Sequence, residues 1–200
     1  MSELRVELQR ICEWIEPGSR VLDLGCGDGS LLEWLQKNRN ISGYGVDINP
    51  ENVLSCLKKK VNIIQADLDA GLTDFEDGSF DYVIMTQALQ ALQFPHQTLA
   101  EMVRVGRKSI VTFPNFGLWK HRVYLAMKGR MPVSKALPAQ WYDTQNIHLC
   151  TVKDFEQFCK QKALHIAKRD IVDYEHRSDA LMKLWPNLFG EVALYQINGK

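Results

Sequence analysis

The sequence predicts an α/β fold in which helices cover both faces of a doubly wound, mostly parallel sheet. Short apolar runs of strand length alternate along residues 1–113 with segments that carry apolar side chains at helical spacing. Strands joined through helices pair in parallel by right-handed crossovers. The remaining residues break this alternation, and they end in two further apolar runs. The pattern is therefore that of a layered α/β chain whose last strands join one edge of the sheet.

The first half of the chain supplies most of these elements. A helix over residues 2–15 ends before Pro17, and Asn49 stands as the N-cap of a later helix with Pro50 in its first turn. The predicted strands are 20–24, 42–48, 61–65, 79–86 and 108–113, and the predicted helical segments between them are 29–37, 50–59, 87–92 and 95–105.

The last third begins with an elaboration, residues 114–150, that is rich in proline, aromatic and basic residues. We expect mostly loop there, with one helix at 117–128. Thr151 is typical of an N-cap and predicts a helix to about residue 162. Strands at 163–172 and 188–197 are expected to close one edge of a seven-stranded, Rossmann-like sheet as an antiparallel pair. We interpret residues 1–200 as a single domain, because 114–150 is too short to fold alone.

Composition excludes several classes of function. Lys plus Arg and Asp plus Glu number 24 each, so no net charge attracts nucleic acid or a membrane surface. The five cysteines form no C-x-x-C pair, which is typical of a reducing compartment and gives no metal-binding spacing. No apolar run reaches the length of a membrane span, and the amino terminus lacks a signal-like apolar region. We predict a cytoplasmic protein without a metal site.

The stretch VLDLGCGDGS, residues 21–30, is the strongest local signal. A dinucleotide-binding fingerprint beginning at Gly25 would need a glycine at position 30, where this chain has Ser30. The chain instead reads D-x-G-x-G-x-G from Asp23 through Gly25 and Gly27, which resembles motif I of the class I methyltransferases that bind S-adenosylmethionine (SAM). A carboxylate at Asp23 suits the ammonium and sulfonium charges of SAM.

Two further acids follow the next two predicted strands. Asp47 ends the second strand, where a carboxylate can accept hydrogen bonds from both ribose hydroxyls. Asp67 follows the third, and the resemblance implies that it accepts the adenine amino group, with Ile48 and Leu68 on either side of the base. Acids at the carboxyl ends of neighbouring strands predict one ligand crevice. The alternative is that they only form turns and cap helices.

Other candidates have a structural alternative as well. Cys26 is predicted to be a small filler that faces the cofactor or a helix rather than a nucleophile. Thr86 and Gln87 follow the fourth strand, where methyltransferases of this class line the methionine end of SAM, although Thr86 also suits a helix cap. No general base stands out; His121 and His148 are the nearby histidines, and His148 is the better candidate.

Charge is unevenly distributed despite the neutral total. Residues 67–81 contain six acids and no base, whereas 114–142 contain five cations and no acid. The basic segment also carries Trp119, Tyr124 and Trp141, which favours a recognition surface for an acidic small molecule or protein. Two solvated surfaces are the alternative. Nucleic acid is disfavoured, because prolines interrupt the few cations.

Long stretches of the sequence resemble the MetW family of methionine biosynthesis proteins. These are VLDLGCGDG, YGVDI followed by NPENVL, QADLDAGL, SFDYVIMTQALQA and the segment FPNFGLWKHRVYLAMKGRMPVSKALPAQWYDTQNIHLCTVKDFE. The resemblance implies a SAM-dependent methyltransferase-like fold, a role in bacterial methionine synthesis and association with homoserine O-acyltransferase. Asp47 stands where a glutamate is common in that family, and its carboxylate preserves the expected role.

Two functions remain open at this stage. In one, the protein binds SAM (or S-adenosylhomocysteine) and supports the acyltransferase, which transfers an acetyl or a succinyl group. In the other, it is a SAM-dependent methyltransferase that acts on an unidentified small molecule held under residues 114–150. Methyl transfer can proceed largely by alignment of the reactants, so the lack of an evident base does not decide between them.

Overall fold

The computed structural model describes residues 6–173 and 180–199. Two single 3₁₀ turns, Leu68–Ala70 and Leu89–Ala91, lie among its helices and strands. The strands are β1 (Arg20–Leu24), β2 (Ser42–Asp47), β3 (Ile63–Gln65), β4 (Phe80–Thr86), β5 (Gly106–Pro114), β6 (His165–Val172) and β7 (Val192–Asn198). The helices are α1 (Val6–Trp14), α2 (Ser30–Arg39), α3 (Pro50–Lys58), α4 (Pro95–Val105), α5 (Trp119–Lys128), α6 (Val152–Gln161), α7 (Ala180–Leu184) and α8 (Pro186–Phe189).

The seven strands form one sheet in the order β3-β2-β1-β4-β5-β7-β6. The first five strands pair in parallel, and β7 runs antiparallel to both β5 and β6. The predicted doubly wound α/β sheet, with an antiparallel pair at one edge, is confirmed. Within that pair β7 is the inner strand and β6 the outer one.

Apolar layers cover both faces of the sheet. Successive side chains of a strand point to opposite faces, so Val83 and Met85 of β4 pack in one layer while Tyr82 and Ile84 pack in the other. Helices α4 and α6 complete the first layer, and α1 and α2 the second. Strands buried on both faces need near-continuous apolar sequence, which is the pattern that identified them.

Both predicted helix caps are present. Asn49 Oδ1 accepts a hydrogen bond from the Glu51 amide at 2.9 Å, and Pro50 begins α3. Thr151 Oγ1 accepts from the Asp154 amide at 3.2 Å while the Asp154 carboxylate accepts from the Thr151 amide at 3.1 Å. This reciprocal pair is a capping box, which fixes the start of α6.

Some predicted boundaries differ from the structure. The last strand was expected from residue 188 but begins at Val192, because Pro186 starts the short helix α8 instead. The third strand begins at Ile63 rather than 61, since the Val61 amide donates to Cys56 O and still belongs to the end of α3. The predicted first helix begins at residue 2, outside the described residues. No helix among the described residues has the length and apolar character that a membrane span needs.

Residues 114–150, which we call the post-β5 segment, are tied to the sheet by one buried amide. The Asn115 Oδ1 atom accepts from the amides of Gly117 at 3.0 Å and Val152 at 3.2 Å. Its Nδ2 atom donates to Asn187 O at 3.2 Å and Gly190 O at 2.8 Å. One side chain therefore joins the entry and the exit of the segment to α8 and its C-cap residue, just before β7.

Candidate functional site

The candidate site lies where four parallel strands end. Leu24 of β1 is level with Val46 of β2 and Met85 of β4, so the loops after these strands are neighbours. The order of strands reverses between β1 and β4, and ligands of doubly wound sheets bind at such a switch point. The structure thus brings the glycine-rich loop, Asp47 and Thr86 to one edge, as the sequence predicted.

The glycine-rich loop, residues 25–29, follows β1 in a conformation that favours glycine. Gly25, Gly27 and Gly29 have φ angles of +68°, +57° and +76°. The amides of Gly25 and Cys26 both donate to Val46 O, at 2.8 and 3.1 Å. The loop therefore turns tightly over the end of β2, with its backbone close to Asp47.

Asp47 is the polar centre of the site. Its Oδ2 atom accepts from the Gly27 amide at 2.9 Å, and its Oδ1 atom accepts from the Asn49 amide at 2.9 Å and Asn52 Nδ2 at 3.0 Å. A carboxylate offers about four acceptor positions, and three are used within the described residues. The remaining position, on Oδ2, is available to a hydrogen-bond donor of a ligand.

The predicted adenine neighbours differ in their exposure. Ile48 is 61% exposed beside Asp47, so its side chain is open to a planar group. Leu68 is only 8% exposed and packs in the core, so its side chain offers little apolar surface. Asp67 is exposed, and its Oδ1 atom accepts from the Asp69 amide at 2.9 Å. Asp67 therefore caps the 3₁₀ turn Leu68–Ala70, and its carboxylate keeps other acceptor positions available.

The remaining predicted residues lie on β1 and after β4. Asp23 is buried within β1, level with Gly45 of β2 and Ile84 of β4. Gln87 follows β4 with φ +53°, a left-handed conformation that is uncommon for a residue other than glycine. Its amide donates to Thr112 O at 3.0 Å. Strained positions of this kind occur at ligand sites, so Gln87 stays a candidate site residue.

Cys26 faces a helix rather than the open side of the loop. Its Sγ atom lies 3.9 Å from Cys56 Sγ of α3, and the side chain is buried. Burial, followed by the charge of Asp23, raises the pKa of the Cys26 thiol far above its usual value. Burial likewise raises the pKa of Cys56, and it raises that of Cys12, Cys150 and Cys159 to about 12. Thiols with raised pKa values are poor nucleophiles.

A residue that the sequence analysis missed connects this edge to the post-β5 segment. The Gln90 carbonyl accepts from the amides of Ile147 at 2.9 Å and His148 at 3.0 Å. His148 Nε2 also lies 3.3 Å from Gln93 O. The Gln90 side chain is buried, and neither of its polar atoms has a hydrogen-bond partner within the described residues. No sequence pattern predicts this contact, because it joins residues far apart in the chain.

The two histidines occupy different environments. His148 is exposed and hydrogen-bonded to backbone, whereas His121 is buried in α5 with its Nε2 atom 3.2 Å from Ser134 Oγ. Burial lowers the pKa of His121, so its neutral form is favoured in the native protein. Among the described residues, no three His, Cys, Asp or Glu side chains are grouped to hold a metal ion.

Comparison with known proteins agrees with this geometry. The family model described as methionine biosynthesis protein MetW matches residues 5–197. The chain belongs to the MetW family. The bifunctional methionine biosynthesis protein MetXA/MetW of Rhodopirellula baltica is 33% identical over 96% of this chain, which corresponds to 32% of that protein. The chain spans about a third of the length of the first curated relatives that it matches.

Solved structures show which fold this MetW protein has. A SAM-dependent methyltransferase from Archaeoglobus fulgidus has a TM-score of 0.71 and 18% identity, with 96% of this chain and 91% of that chain covered. The [4+2]-cyclase SpnF has a TM-score of 0.68 and 14% identity, with 98% and 81% covered. The MetW chain thus has the class I SAM-dependent methyltransferase fold, which also occurs in a protein described as a cyclase.

Proposed function

We propose that this protein is a SAM-binding subunit of methionine biosynthesis that associates with homoserine O-acyltransferase and supports its activity. The observation that carries the proposal is the Rhodopirellula relative, whose name combines MetXA and MetW in one chain. Fusion holds two proteins at a high effective concentration, so it favours pairs that act together. The matched MetW portion is about a third of that relative, which leaves ample length for a separate enzyme.

In this proposal SAM binds across the switch point between β1 and β4. The ribose lies against Asp47, the adenine ring against Ile48, and the adenine amino group near Asp67. Asp23 and the turn at Thr86 and Gln87 face the methionine end, where the carboxylate of Asp23 balances positive charge.

The support for these assignments is geometric. Asp47 has an acceptor position left beside the Gly27 amide, and Ile48 is open while Asp47 next to it is buried. Leu68 contributes packing beneath the adenine site rather than an open face. An added methyl group at Gly27 would have nothing within 4 Å, so the space above this residue is open to a cofactor. At Gly25 the added group would lie 2.9 Å from Ala88 Cβ, so glycine there serves packing against the turn after β4.

Methyl transfer to an unidentified small molecule is the second candidate function, and the intact glycine loop favours it. The side chains near the candidate site favour the first function, a SAM-binding subunit without catalysis. Burial raises the pKa of Cys26, and His148 is already hydrogen-bonded to the Gln93 carbonyl. An activated nucleophile or base would need the opposite: a lowered pKa in a thiol, or a ring nitrogen directed at the ligand.

Calorimetry with SAM tests the cofactor site. Asp47→Ala removes a charged hydrogen-bond acceptor and should weaken binding by about 1–3 kcal/mol. Asp74→Ala removes an exposed acid outside the site and is the matched control, expected to bind as the wild type does. Equal affinity of the Asp47 variant and the wild type would refute the ribose assignment.

Co-purification with homoserine O-acyltransferase tests the partner. We expect a stable complex and a higher acyltransferase rate when this protein is added. A mass-spectrometric assay for S-adenosylhomocysteine in the same mixture reports methyl transfer. No complex and no change in rate would refute the support role, and stoichiometric S-adenosylhomocysteine formation would favour the methyltransferase function.

A further inference from the structure

Helix α5 presents an apolar stripe that nothing in the described structure covers. Trp119, Val123 and Met127 are spaced four residues apart and therefore lie on one side of the helix. All three are exposed, Met127 to 77%, and His121 is the one buried residue of α5. A helix of ten residues is marginal in water without tertiary packing, so a partner on this stripe would stabilise it.

A groove lies beside the carboxyl-terminal end of α5. It has a volume of about 660 Å³, and its lining includes Tyr124, Arg130, Met131 and Trp141. Trp141 is 74% exposed. Tyrosine, tryptophan, methionine and arginine are the residue types enriched at the centres of protein interfaces. The stripe and the groove share α5, so together they form one surface, which we call the α5 face.

The charge of the α5 face is of one sign. Residues 114–142 contain five cations and no acid. Lys120 pairs with Glu191 at 3.2 Å, and the Arg122 Nε atom donates to Gly117 O at 2.6 Å. Lys128 and Arg130 make no hydrogen bond or ion pair within the described residues. Two cations at the end of α5 thus remain available for acids of another molecule.

We propose that the α5 face docks on homoserine O-acyltransferase, against a surface with an apolar centre and acidic residues near Lys128 and Arg130. This inference rests on the proposed function and names the surface that carries it. An aromatic or aliphatic side chain of the enzyme enters the groove between Tyr124 and Trp141. The carboxylates then pair with the two cations and set the orientation of the complex.

Charge argues against the other occupants of this surface. A two-fold dimer through the α5 face would place the same cations of both copies together, without an acid from residues 114–142 to balance them. Membrane binding through basic residues typically uses clusters of about four to eight cations, more than the two that are unpaired here. A single protein partner with an apolar, acidic surface would bury the stripe and pair with both cations.

Binding measurements with matched variants test the proposal. Lys128→Glu with Arg130→Glu should weaken the complex with purified acyltransferase at least tenfold, more at low than at high salt. The control, Lys160→Glu with Lys162→Glu, makes the same charge change at the exposed end of α6 and should stay within about twofold of wild type. Met127→Ser should weaken binding, whereas Leu57→Ser, at a similarly exposed leucine of α3, should not.

Circular dichroism and SAM calorimetry on each variant verify that it folds and holds its cofactor as the wild type does. If the wild type binds the enzyme and both α5-face variants bind equally well, the docking surface is wrong while the proposed function stands. If the wild type does not bind the enzyme, the proposed function itself fails, and the docking proposal with it. If the wild type dimerises and Met127→Ser abolishes the dimer, the α5 face is a self-association surface instead. If the wild type floats with anionic vesicles and Lys128→Glu with Arg130→Glu abolishes flotation, the face binds membranes instead.

Discussion

Replacement of Gly29 by alanine tests how the glycine-rich loop is held against α3. Gly29 has a φ angle of +76°, and a methyl group added there would lie 2.7 Å from Cys56 Sγ. The sulfur has little freedom to move, because Cys56 is fully buried, with its Sγ 3.9 Å from Cys26 Sγ and 3.4 Å from Gly27 O. Gly27 has a φ angle of +57° but nothing within 4 Å of an added methyl group, so it is the matched control.

The two alanine variants separate backbone strain from steric overlap. Gly27→Ala carries the strain of a left-handed residue, about 1–2 kcal/mol. Gly29→Ala carries the same strain plus overpacking of about 1–3 kcal/mol, for a total of about 2–5 kcal/mol. Cys56→Ala removes the sulfur and should cost about 1 kcal/mol alone. In the double variant the methyl group occupies the space of the sulfur, so the combined loss should be smaller than the sum by about 1–3 kcal/mol.

Urea unfolding followed by circular dichroism measures these free energies, with the slope of the transition as the check on two-state behaviour. We expect the midpoint to fall in the order wild type, Gly27→Ala, Gly29→Ala. Equal midpoints for the two glycine variants would contradict the steric account, and so would strict additivity in the double variant. SAM calorimetry on Gly27→Ala then reports whether the backbone near Asp47 tolerates the change.

Other expected outcomes follow from single buried groups. Asn115→Ala deletes four hydrogen bonds and should lower the free energy of unfolding by about 3 kcal/mol in urea titrations, with a loss under 1 kcal/mol contradicting its anchoring role. The lowered pKa of His121 means that the unfolded chain binds a proton which the native state does not. The stability contributed by neutral His121 is therefore complete above about pH 6.5 and is lost as the pH falls below that value. When the pH is lowered from about 7.5 to 5.5, the urea midpoint of His121→Asn should therefore fall less than that of the wild type. Native Cys26 should react with iodoacetamide far more slowly at about pH 8 than in urea, and rapid native labelling would contradict its burial.

The order of elements could be predicted from the sequence because local signals defined it. Apolar runs bounded by Pro17, Asn49 and Thr151 marked where helices and strands begin or end, and two of these residues are caps in the structure. The strand predicted from 188 was wrong in its first residues. Pro186 starts the helical turn α8, so β7 begins only at Val192.

The candidate site was predictable to a lesser degree. Strand ends could be found, so Asp47 and Asp67 were placed at the correct edge of the sheet. The solvent exposure of each side chain could not be predicted. Ile48 and Leu68 each directly follow an acid in the sequence, yet Leu68 is buried and Ile48 is exposed. Hydrogen bonds such as that from Asn52 to Asp47 also lay outside sequence reasoning, because they depend on the angle at which α3 leaves β2.

The contact at Gln90 joins the strand-end edge that carries the candidate site to the post-β5 segment. The turn after β4 carries Gln87 in a strained conformation, and three residues later its Gln90 carbonyl holds the amides of Ile147 and His148 in the post-β5 segment. A ligand that orders this turn more strongly in one form of the protein than in another changes the equilibrium between those forms. If the protein binds both SAM and the acyltransferase, as proposed, linkage requires that each changes the affinity for the other by the same factor. Under the proposed function, a SAM-binding subunit that never transfers a methyl group would therefore still report the supply of SAM to the acyltransferase.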